Sequence, residues 1–375
     1  KEIDKEMNIG IITFHASFNY GSMLQAYALQ TYLMRLGHKV EIVNLRTKRQ
    51  KAGYPKPLSI QSLHTIKLSV ERLMLNSASI QPLYKKWHLF NDFLNQRLNI
   101  TREFNTIDQL KETDFHFDVL ITGSDQIWNT NAFDFSEAYF GSFVGEDTRK
   151  IAYAPSMGPN PESLNVDYIR ELIKDFKAVS VREKRSKDFL EEKNIYHPVE
   201  LVVDPTMLLE RNDYESIIDS KPLVEGKYIF YYTPGGVRHE FLSEASKIGH
   251  EMGLPVICDN YYSPHDLKLY DNVTPYGSVG PLEFLKLIRN AEYVCGASFH
   301  LMVFSLIFNK KFGCMNGDVD SRMNNLMRLA GAEDHIWSVV DKTRNKISDR
   351  IVDYNTVFKS LCDSSKDFLK SNVGR

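Results

Sequence analysis

The run GASFHLMVFSLIF, at positions 296–308, contains one side chain that can change its charge near neutral pH, that of His300. Ser298 precedes it by two residues, and serine is a common helix N-cap, so His300 is predicted to lie in the first turn of an apolar helix. That end of a helix attracts anions, and a histidine there can donate a proton to a bound substrate. The pattern predicts either a general acid at an anion site or a structural histidine.

Two other stretches carry groups suited to binding a phosphate or a carboxylate. In SVREKRS, Arg182 ends a predicted strand, and arginine binds such groups through two parallel hydrogen bonds. The alternative is a surface ion pair between Arg182 and Glu183, which would contribute little to stability. In FHASFNYGSMLQ, residues Asn19, Tyr20 and Gly21 begin a predicted helix, whose backbone N–H groups either bind an anion or are capped within the turn.

The stretch FDVLITGSDQIWN combines hydrogen-bonding side chains with an aromatic ring at a predicted strand end. Ser124, Asp125 and Gln126 can exchange hydrogen bonds with sugar hydroxyls, and Trp128 can stack on a sugar face. We therefore predict an acceptor site here. The alternative is an aspartate cap with Trp128 in the core, because tryptophan is usually well buried.

Short apolar runs alternate with helical patterns along most of the chain, as in NIGIITF, HKVEIVNL, FDVLITG, AVSVRE, KYIFYYTPGG and AEYVCGAS. Parallel strands that are covered by helices on both faces read as such runs, so the predicted fold class is α/β with doubly wound sheets. Ligands bind to such sheets at the carboxyl ends of the strands. Each of the stretches described above follows a predicted strand.

The length of 375 residues suits two domains. We predict an N-terminal domain over residues 1–210, with a helical insertion at about 58–112, and a C-terminal domain over 211–375. The C-terminal domain is expected to end in a long helix between Asn345 and Asn372, where apolar residues recur at helical spacing.

Composition narrows the class of protein. A formal charge of -2 argues against a nucleic-acid-binding protein that relies on a broad basic face, and four separated cysteines suggest neither a zinc knuckle nor a disulfide framework. No apolar signal core is seen at the N-terminus, so a cytoplasmic protein is expected. The acid-free basic segment RTKRQKAGYPK, at positions 46–56, is either a solvated loop or a peripheral contact with anionic lipid at the inner membrane face.

Six stretches, taken in order, resemble the polysaccharide pyruvyl transferase family: NYGSMLQAYALQTYL, FDVLITGSDQIWN, AYAPSMG, SVREKRS, VVDPTMLL and SFHLMVFSLIF. The resemblance runs from about Ile9 to Ala330. It implies two Rossmann-like domains in a glycosyltransferase-B-like arrangement, with phosphoenolpyruvate as donor and the hydroxyl pair of a sugar or lipid-linked oligosaccharide as acceptor in surface or exopolysaccharide biosynthesis. No cofactor and no metal are implied.

The resemblance also assigns roles to particular residues. His300 matches the family's catalytic histidine, Arg182 matches a donor-binding arginine, and the helix starts at Gly21 and Ser298 would hold the donor's anionic groups. Many members carry an arginine at the position of Ser298. Two other functions stay open, a nucleotide-sugar glycosyltransferase and a non-catalytic carbohydrate-binding protein. Further candidates for the acid are His15, His239 and His265.

Overall fold

Nearly continuous apolar runs form the buried strands of two separate sheets. The computed structural model describes residues 5–54, 56–60, 63–75, 77, 80–236, 238–259, 268–338, 343–344 and 347–374. Contacts divide the chain into two units, and elements are numbered here in chain order. Unit 1 comprises Lys1–Tyr54, Leu94–Leu209 and Lys359–Arg375, and unit 2 comprises Pro55–Phe93 and Glu210–Phe358.

The sheet of unit 1 contains six parallel strands in the order β2-β1-β3-β4-β5-β6. They are β1 (Asn8–Ile12), β2 (Lys39–Ile42), β3 (Val119–Thr122), β4 (Arg149–Ala152), β5 (Ala178–Val181) and β6 (Val199–Leu201). The strand order reverses between β1 and β3. In open α/β sheets, this switch point is where a ligand crevice forms at the carboxyl ends of the strands.

Helices α1 (Tyr20–Arg35), α2 (Lys48–Gly53), α5 (Ile107–Lys111), α6 (Val166–Ile173) and α7 (Lys184–Glu192) belong to unit 1. As predicted, α1 follows β1, and it ends just before Gly37, which has a φ of 92°. Glycine adopts this backbone conformation without steric cost. Helices and strands together enclose a core that includes Phe104, Trp128, Phe140 and Val181.

The sheet of unit 2 has the order β13-β12-β11-β10-β7-β8-β9, in which only the edge pair β12 and β13 is antiparallel. Its strands are β7 (Ile229–Tyr232), β8 (Val256–Cys258), β9 (Val273–Pro275), β10 (Tyr293–Gly296), β11 (Lys311–Met315), β12 (Ile336–Ser338) and β13 (Thr343–Arg344). The order reverses between β7 and β10, so the loops that follow these two strands flank the switch point of unit 2.

The helices of unit 2 are α3 (Leu63–Leu75), α8 (Arg211–Ile217), α9 (His239–Met252), α10 (Pro281–Asn290), α11 (Phe299–Ile307) and α12 (Ser321–Leu329). Two helices contain a boundary between the units, α4 (Ile80–Arg97) and α13 (Tyr354–Val373). Within the described ranges, no helix combines the length and apolarity that crossing a bilayer requires. The prediction of two doubly wound α/β domains is confirmed.

The helical insertion does not remain with the N-terminal domain to which it was assigned. Residues Pro55–Phe93 cluster with unit 2. Lys86 of this segment pairs with Asp259 at 3.2 Å, and a Cβ placed on Gly280 would lie 2.6 Å from the Cβ of Leu89. Local periodicity predicts such helices but does not reveal which sheet they pack against.

The last helix begins later than predicted and crosses the expected boundary. It starts at Tyr354, and its final residues, Lys359–Arg375, cluster with unit 1. Asp353 accepts hydrogen bonds from the backbone N–H of Thr356 at 3.3 Å and from its hydroxyl at 2.6 Å. This is the geometry of an N-cap, so the helix begins after Asp353 although apolar residues recur before it.

Candidate functional site

The turn from β10 into α11 places His300 as the sequence predicts. Ser298 is the N-cap, and its Oγ accepts a hydrogen bond from the backbone N–H of Leu301 at 3.4 Å. His300 therefore lies in the first turn, where its residue is 8% exposed. The strand ends at Gly296, whose φ is 152° and where a Cβ would lie 1.9 Å from the carbonyl oxygen of Tyr232. Only glycine fits this approach of β10 to β7.

The loop after β7 faces the same switch point. The hydroxyl of Thr233 accepts a hydrogen bond from the backbone N–H of Ala297 at 3.2 Å, which joins the two strand ends. Gly235 and Gly236 follow with φ values of 87° and 100°, and a Cβ on either would meet nothing within 4 Å. A glycine-rich loop beside a helix N-terminus presents backbone N–H groups to an anion. Together with His300, this edge of unit 2 can bind an anionic substrate and donate a proton.

The start of α1 in unit 1 is occupied by its own cap. Asn19 Oδ1 accepts from the backbone N–H groups of Gly21 at 3.0 Å and Ser22 at 3.2 Å, and Tyr20 is buried. Two of the donors that were predicted to bind phosphate are thus already satisfied. The structure therefore favours the alternative given above, a turn capped by asparagine.

Asp125 connects the two loops that flank the switch point of unit 1. Its Oδ2 accepts a hydrogen bond from the hydroxyl of Ser22 in α1, and its Oδ1 accepts from the backbone N–H of Gln126 at 2.8 Å. A second link joins Thr13 Oγ1 to the carbonyl oxygen of Ser124 at 2.8 Å. Asp125 has a φ of 70° and is 8% exposed. Its carboxylate is held in one orientation at the edge where a ligand is expected.

Arg182 is surrounded by carboxylates and does not point a free guanidinium into the crevice. Its Nε donates to Glu183 at 2.9 Å, its Nη1 donates to Asp204, and its Nη2 lies 3.9 Å from Asp125. Burial alone lowers the pKa of this guanidinium, but the carboxylates of Glu183, Asp204 and Asp125 together raise it above its ordinary value. The predicted alternative, a pair with Glu183, is present, but it is buried and not on the surface.

This arrangement limits what Arg182 can offer to a bound donor. A guanidinium whose donors are directed at three carboxylates has little capacity left for a donor phosphate or carboxylate. It neutralises the acidic residues and fixes Asp125 and Asp204. These contacts are those of a positioning residue.

Trp128 and Ser124 are also not available to an acceptor. Trp128 is 0% exposed, stacks on Phe140 at a centroid distance of 5.0 Å, and donates from Nε1 to the carbonyl oxygen of Tyr139 at 3.3 Å. A fully buried ring cannot stack on a sugar. Ser124 is likewise fully buried, and its hydroxyl donates a hydrogen bond to the carbonyl oxygen of Ala154 at 2.9 Å. Of the predicted acceptor residues, Asp125 and the half-buried Gln126 remain at the edge.

Residues after β1 and β2, with Asp134 and Tyr139, line a small cleft in unit 1 that no motif in the sequence indicated. Burial raises the pKa of Tyr54 to about 12, with further contributions from Asp134 and Asp125. Burial also raises the pKa of the Asp134 carboxyl, and the nearby charge of Asp125 adds to this effect. The hydroxyl of Tyr54 and the amide of Gln50 are among the polar groups that line this cleft.

The other candidate histidines occupy different surroundings. His15 is 2% exposed, and its Nε2 lies 2.9 Å from Oδ1 of Asn44. Burial is the main reason that its pKa is lowered. His239 lies at the start of α9, with Nδ1 at 3.2 Å from the hydroxyl of Tyr270. His265 lies outside the described residues.

Two hydroxyl residues at these edges were not among the predicted site residues. Ser22 and Thr233 are small hydroxyl residues, and they contact partners that are 103 and 64 positions away. Asp204 is different, since VVDPT places an acid directly after β6. An acidic residue at the end of a parallel strand was a usable signal.

Comparisons with known proteins give one family and one fold. Residues 19–318 match the family model described as polysaccharide pyruvyl transferase. No curated protein gives a significant match to the sequence.

Solved structures resemble the chain over almost its whole length. One assigned as a UDP-N-acetylglucosamine 2-epimerase from Listeria monocytogenes has 8% identity and a TM-score of 0.55, covering 98% of this chain and 91% of that one. An α-glucosyltransferase in complex with UDP and DNA has 9% identity and a TM-score of 0.52, with coverages of 99% and 93%. A UDP-N-acetylglucosamine 2-epimerase from Rickettsia bellii has 10% identity and a TM-score of 0.50, with coverages of 98% and 99%. These likenesses confirm the predicted glycosyltransferase-B-like fold class with Rossmann-like domains, and identities this low show the fold alone.

Proposed function

Because the chain belongs to the polysaccharide pyruvyl transferase family, we propose that it transfers a pyruvyl group from phosphoenolpyruvate to two hydroxyls of a sugar, forming a ketal. The observation that carries this proposal is the position of His300, in the first turn of a Ser298-capped helix at the switch point of unit 2. Phosphoenolpyruvate needs a site that binds its anionic groups and an acid that protonates it. This edge of unit 2 offers a helix N-terminus for the first and His300 for the second.

The reaction begins with a proton on the donor. His300, protonated, gives its proton to the vinyl CH₂ carbon, which becomes a methyl group, while the adjacent carbon becomes electrophilic. One sugar hydroxyl attacks that carbon and gives its proton to the now neutral His300, which restores the acid. The phosphate group leaves with its bond electrons, the second hydroxyl closes the ring, and its proton is released to phosphate or solvent. The products are the ketal and inorganic phosphate, and no redox step occurs.

Unit 2 contains the groups that we assign to the donor. Backbone N–H groups of the loop at Thr233, Gly235 and Gly236, and those at the start of α11, would bind the phosphate and the carboxylate. Ser298 stands where many family members carry arginine, so this chain must bind those anions with fewer side-chain cations. Backbone donors can supply that binding without a charged side chain.

Unit 1 contains the groups that we assign to the acceptor. Asp125 and Gln126 would accept and donate hydrogen bonds to sugar hydroxyls. Arg182 would act indirectly, by holding the carboxylate of Asp125. Because phosphoenolpyruvate is a metabolite of the cytoplasm, we propose that the reaction takes place there.

A panel of donors tests the reaction class. Thermal unfolding is followed with phosphoenolpyruvate, with uridine and guanosine diphosphate sugars, and with free oligosaccharides; a ligand at about 100 times its Kd adds about 2.7 kcal/mol of stability. Stabilisation by phosphoenolpyruvate supports the proposal. Stabilisation by a nucleotide sugar alone supports a glycosyltransferase instead, and stabilisation by glycans alone supports a binding protein. Carbon NMR of phosphoenolpyruvate labelled at its central carbon, mixed with an acceptor panel, then detects the ketal carbon directly.

A further inference from the structure

Helix α3 exposes its apolar side chains and buries its small polar ones, the reverse of an ordinary surface helix. Five apolar residues are exposed along it, Leu63 at 87%, Ile66 at 39%, Val70 at 47%, Leu73 at 53% and Met74 at 79%. On the opposite side Thr65 and Ser69 are buried, at 5% and 8%. These five apolar residues are called the α3 apolar face below.

The side chains of the α3 apolar face lie on one stripe of the helix. Their positions, 63, 66, 70, 73 and 74, fall within an arc of about 100° when an α-helix turns by its usual angle per residue. One hydrogen bond ties the polar side of the helix to the segment before it. The backbone N–H of Ser59 donates to Ser69 Oγ at 2.8 Å, and within the helix the same Oγ lies 2.7 Å from the carbonyl oxygen of Thr65. The polar side is thus occupied by the chain itself, while the apolar stripe is exposed.

The segment of unit 2 that contains α3 carries a net positive charge. Residues 55–86 contain five lysines and arginines against one acid, Glu71, although the whole chain has a formal charge of -2. Lys56, Lys67 and Lys85 are exposed. Lys86 instead pairs with Asp259, and Lys67 lies 3.8 Å from Glu71 on the same helix. The exposed lysines give this segment a positive surface for an anionic partner.

We propose that α3 is an interfacial helix that binds an anionic membrane surface, with the α3 apolar face in the acyl-chain boundary and the surrounding lysines at the lipid phosphates. An exposed apolar stripe on a basic segment has the two properties that such binding needs, apolar area and electrostatic attraction. A second copy of this chain is a poorer occupant of the face, because it would bring two strongly basic segments together. The helix lies on the membrane and does not cross it.

Sedimentation with lipid vesicles tests this proposal. The full chain is mixed with vesicles of phosphatidylcholine alone and with vesicles that also contain phosphatidylglycerol, at low and high salt. We expect binding to the anionic vesicles at least about 10-fold tighter than to the neutral ones, and weaker binding at high salt, because exposed charges are screened. Vesicle binding is measured without donor or acceptor, so its outcome does not depend on the proposed reaction.

Matched variants locate the contact on α3. The triple variant Val70→Ser, Leu73→Ser, Met74→Ser should lose at least about 10-fold in vesicle binding, since each change removes apolar area from the contact. Val319→Ser with Ile351→Ser is the control, because these residues are 58% and 51% exposed elsewhere in unit 2. The control should bind as the wild type does. Lys67→Gln with Lys85→Gln should reduce the preference for anionic vesicles.

Three results would overturn the proposal. The first is that the wild type does not bind anionic vesicles. The second is that the triple variant and its control lose vesicle binding equally. The third is that light scattering detects a dimer of the wild type without lipid and that the triple variant does not form it. The last result would assign the α3 apolar face to a second copy of the chain. Circular dichroism of each variant confirms that the fold is retained, as expected for side chains that are already exposed.

Discussion

Arg182 donates a hydrogen bond from Nη1 to Oδ2 of Asp204, and both side chains are buried within unit 1. Glu183 and Asp125 complete a cluster in which one guanidinium faces three carboxylates. Buried carboxylates without a counter-charge are strongly unfavourable. The arginine is therefore needed for the folded state, whatever it contributes to the reaction.

Replacing Arg182 should destabilise unit 1. Arg182→Met leaves a buried acidic cluster without its cation, so we expect the free energy of unfolding to fall by about 3–5 kcal/mol. Urea denaturation measures the change. Arg185→Met is the matched control, since Arg185 pairs with Glu162 where both side chains are about half exposed, and it should cost less than about 1 kcal/mol. If Arg182→Met keeps its stability and loses only donor affinity, the guanidinium binds the donor after all.

Replacing Trp128 should change the stability of the protein and should not change its affinity for the acceptor. Because its ring is packed between Phe140 and Phe176, Trp128→Ala is expected to lower the free energy of unfolding by about 3–5 kcal/mol. Trp128→Phe keeps most of the apolar volume and should leave the KM for the acceptor unchanged. A large rise in that KM for a stable Trp128→Phe protein would return the ring to the binding site.

A role of Asp125 in acceptor binding can be distinguished from a purely structural role by comparing variants at the two ends of β3. Asp125→Asn should raise the KM for the acceptor about 10-fold, the effect of losing one hydrogen bond to a charged group. Donor-induced stabilisation should not change. Asp118→Asn is the control, because Asp118 precedes β3 and accepts from the backbone N–H of Asn8 at 2.7 Å on the opposite edge. Equal kinetic effects of both changes would argue against a role of Asp125 in acceptor binding.

His15 should make stability depend on pH in the mildly acidic range. Burial lowers its folded-state pKa below the ordinary value of 6.5. The unfolded chain therefore takes up this proton first, so the contribution of His15 is complete above pH 6.5 and is lost as pH falls toward the folded-state pKa. The slope reaches at most about 1.4 kcal/mol per pH unit.

Two variants isolate this titration. Urea midpoints are measured between pH 7 and pH 5, a range chosen to span about the ordinary histidine pKa. His15→Gln should flatten the dependence, because glutamine does not titrate. His116→Gln should not, since the side chain of His116 is 85% exposed. Parallel curves for the wild type and His15→Gln would show that the ring is protonated equally in both states.

Local patterns predicted most of the elements that carry these residues. Apolar runs identified β1, β3, β5, β7 and β10, and the serine cap placed His300 in the first turn of α11. Strand order is not a local property. The two switch points depend on the pairing of β3 with β1 and of β10 with β7. In these pairs, Ile12 meets Thr122 across 110 positions and Tyr231 meets Cys295 across 64 positions.

Trp128 and Arg182 show which properties of a residue its local sequence does not decide. Trp128 has an aromatic face that suits a sugar or a core equally well, and only the packing of Phe140 decides between them. Arg182 matches the family pattern, but its partner Asp204 is 22 positions away and becomes a neighbour only when β5 and β6 pair. Single-sequence spacing therefore predicts the positions of charged groups better than their partners.

The rate of ketal formation by His300→Gln tests the central claim most directly. With donor labelled at its central carbon and the acceptor found by the panel, we expect turnover to fall by about 10²- to 10⁴-fold while the melting temperature stays within a few degrees. His250→Gln is the control, since His250 lies at the exposed C-terminal end of α9, where it pairs with Asp271 at 3.0 Å, and the change should leave turnover unchanged.

Two results for His300→Gln bear against a catalytic role of the ring. A His300→Gln protein that forms ketal at the wild-type rate would contradict the account. So would a variant that unfolds while its remaining folded fraction works normally, because His300 would then support the helix start and not the chemistry.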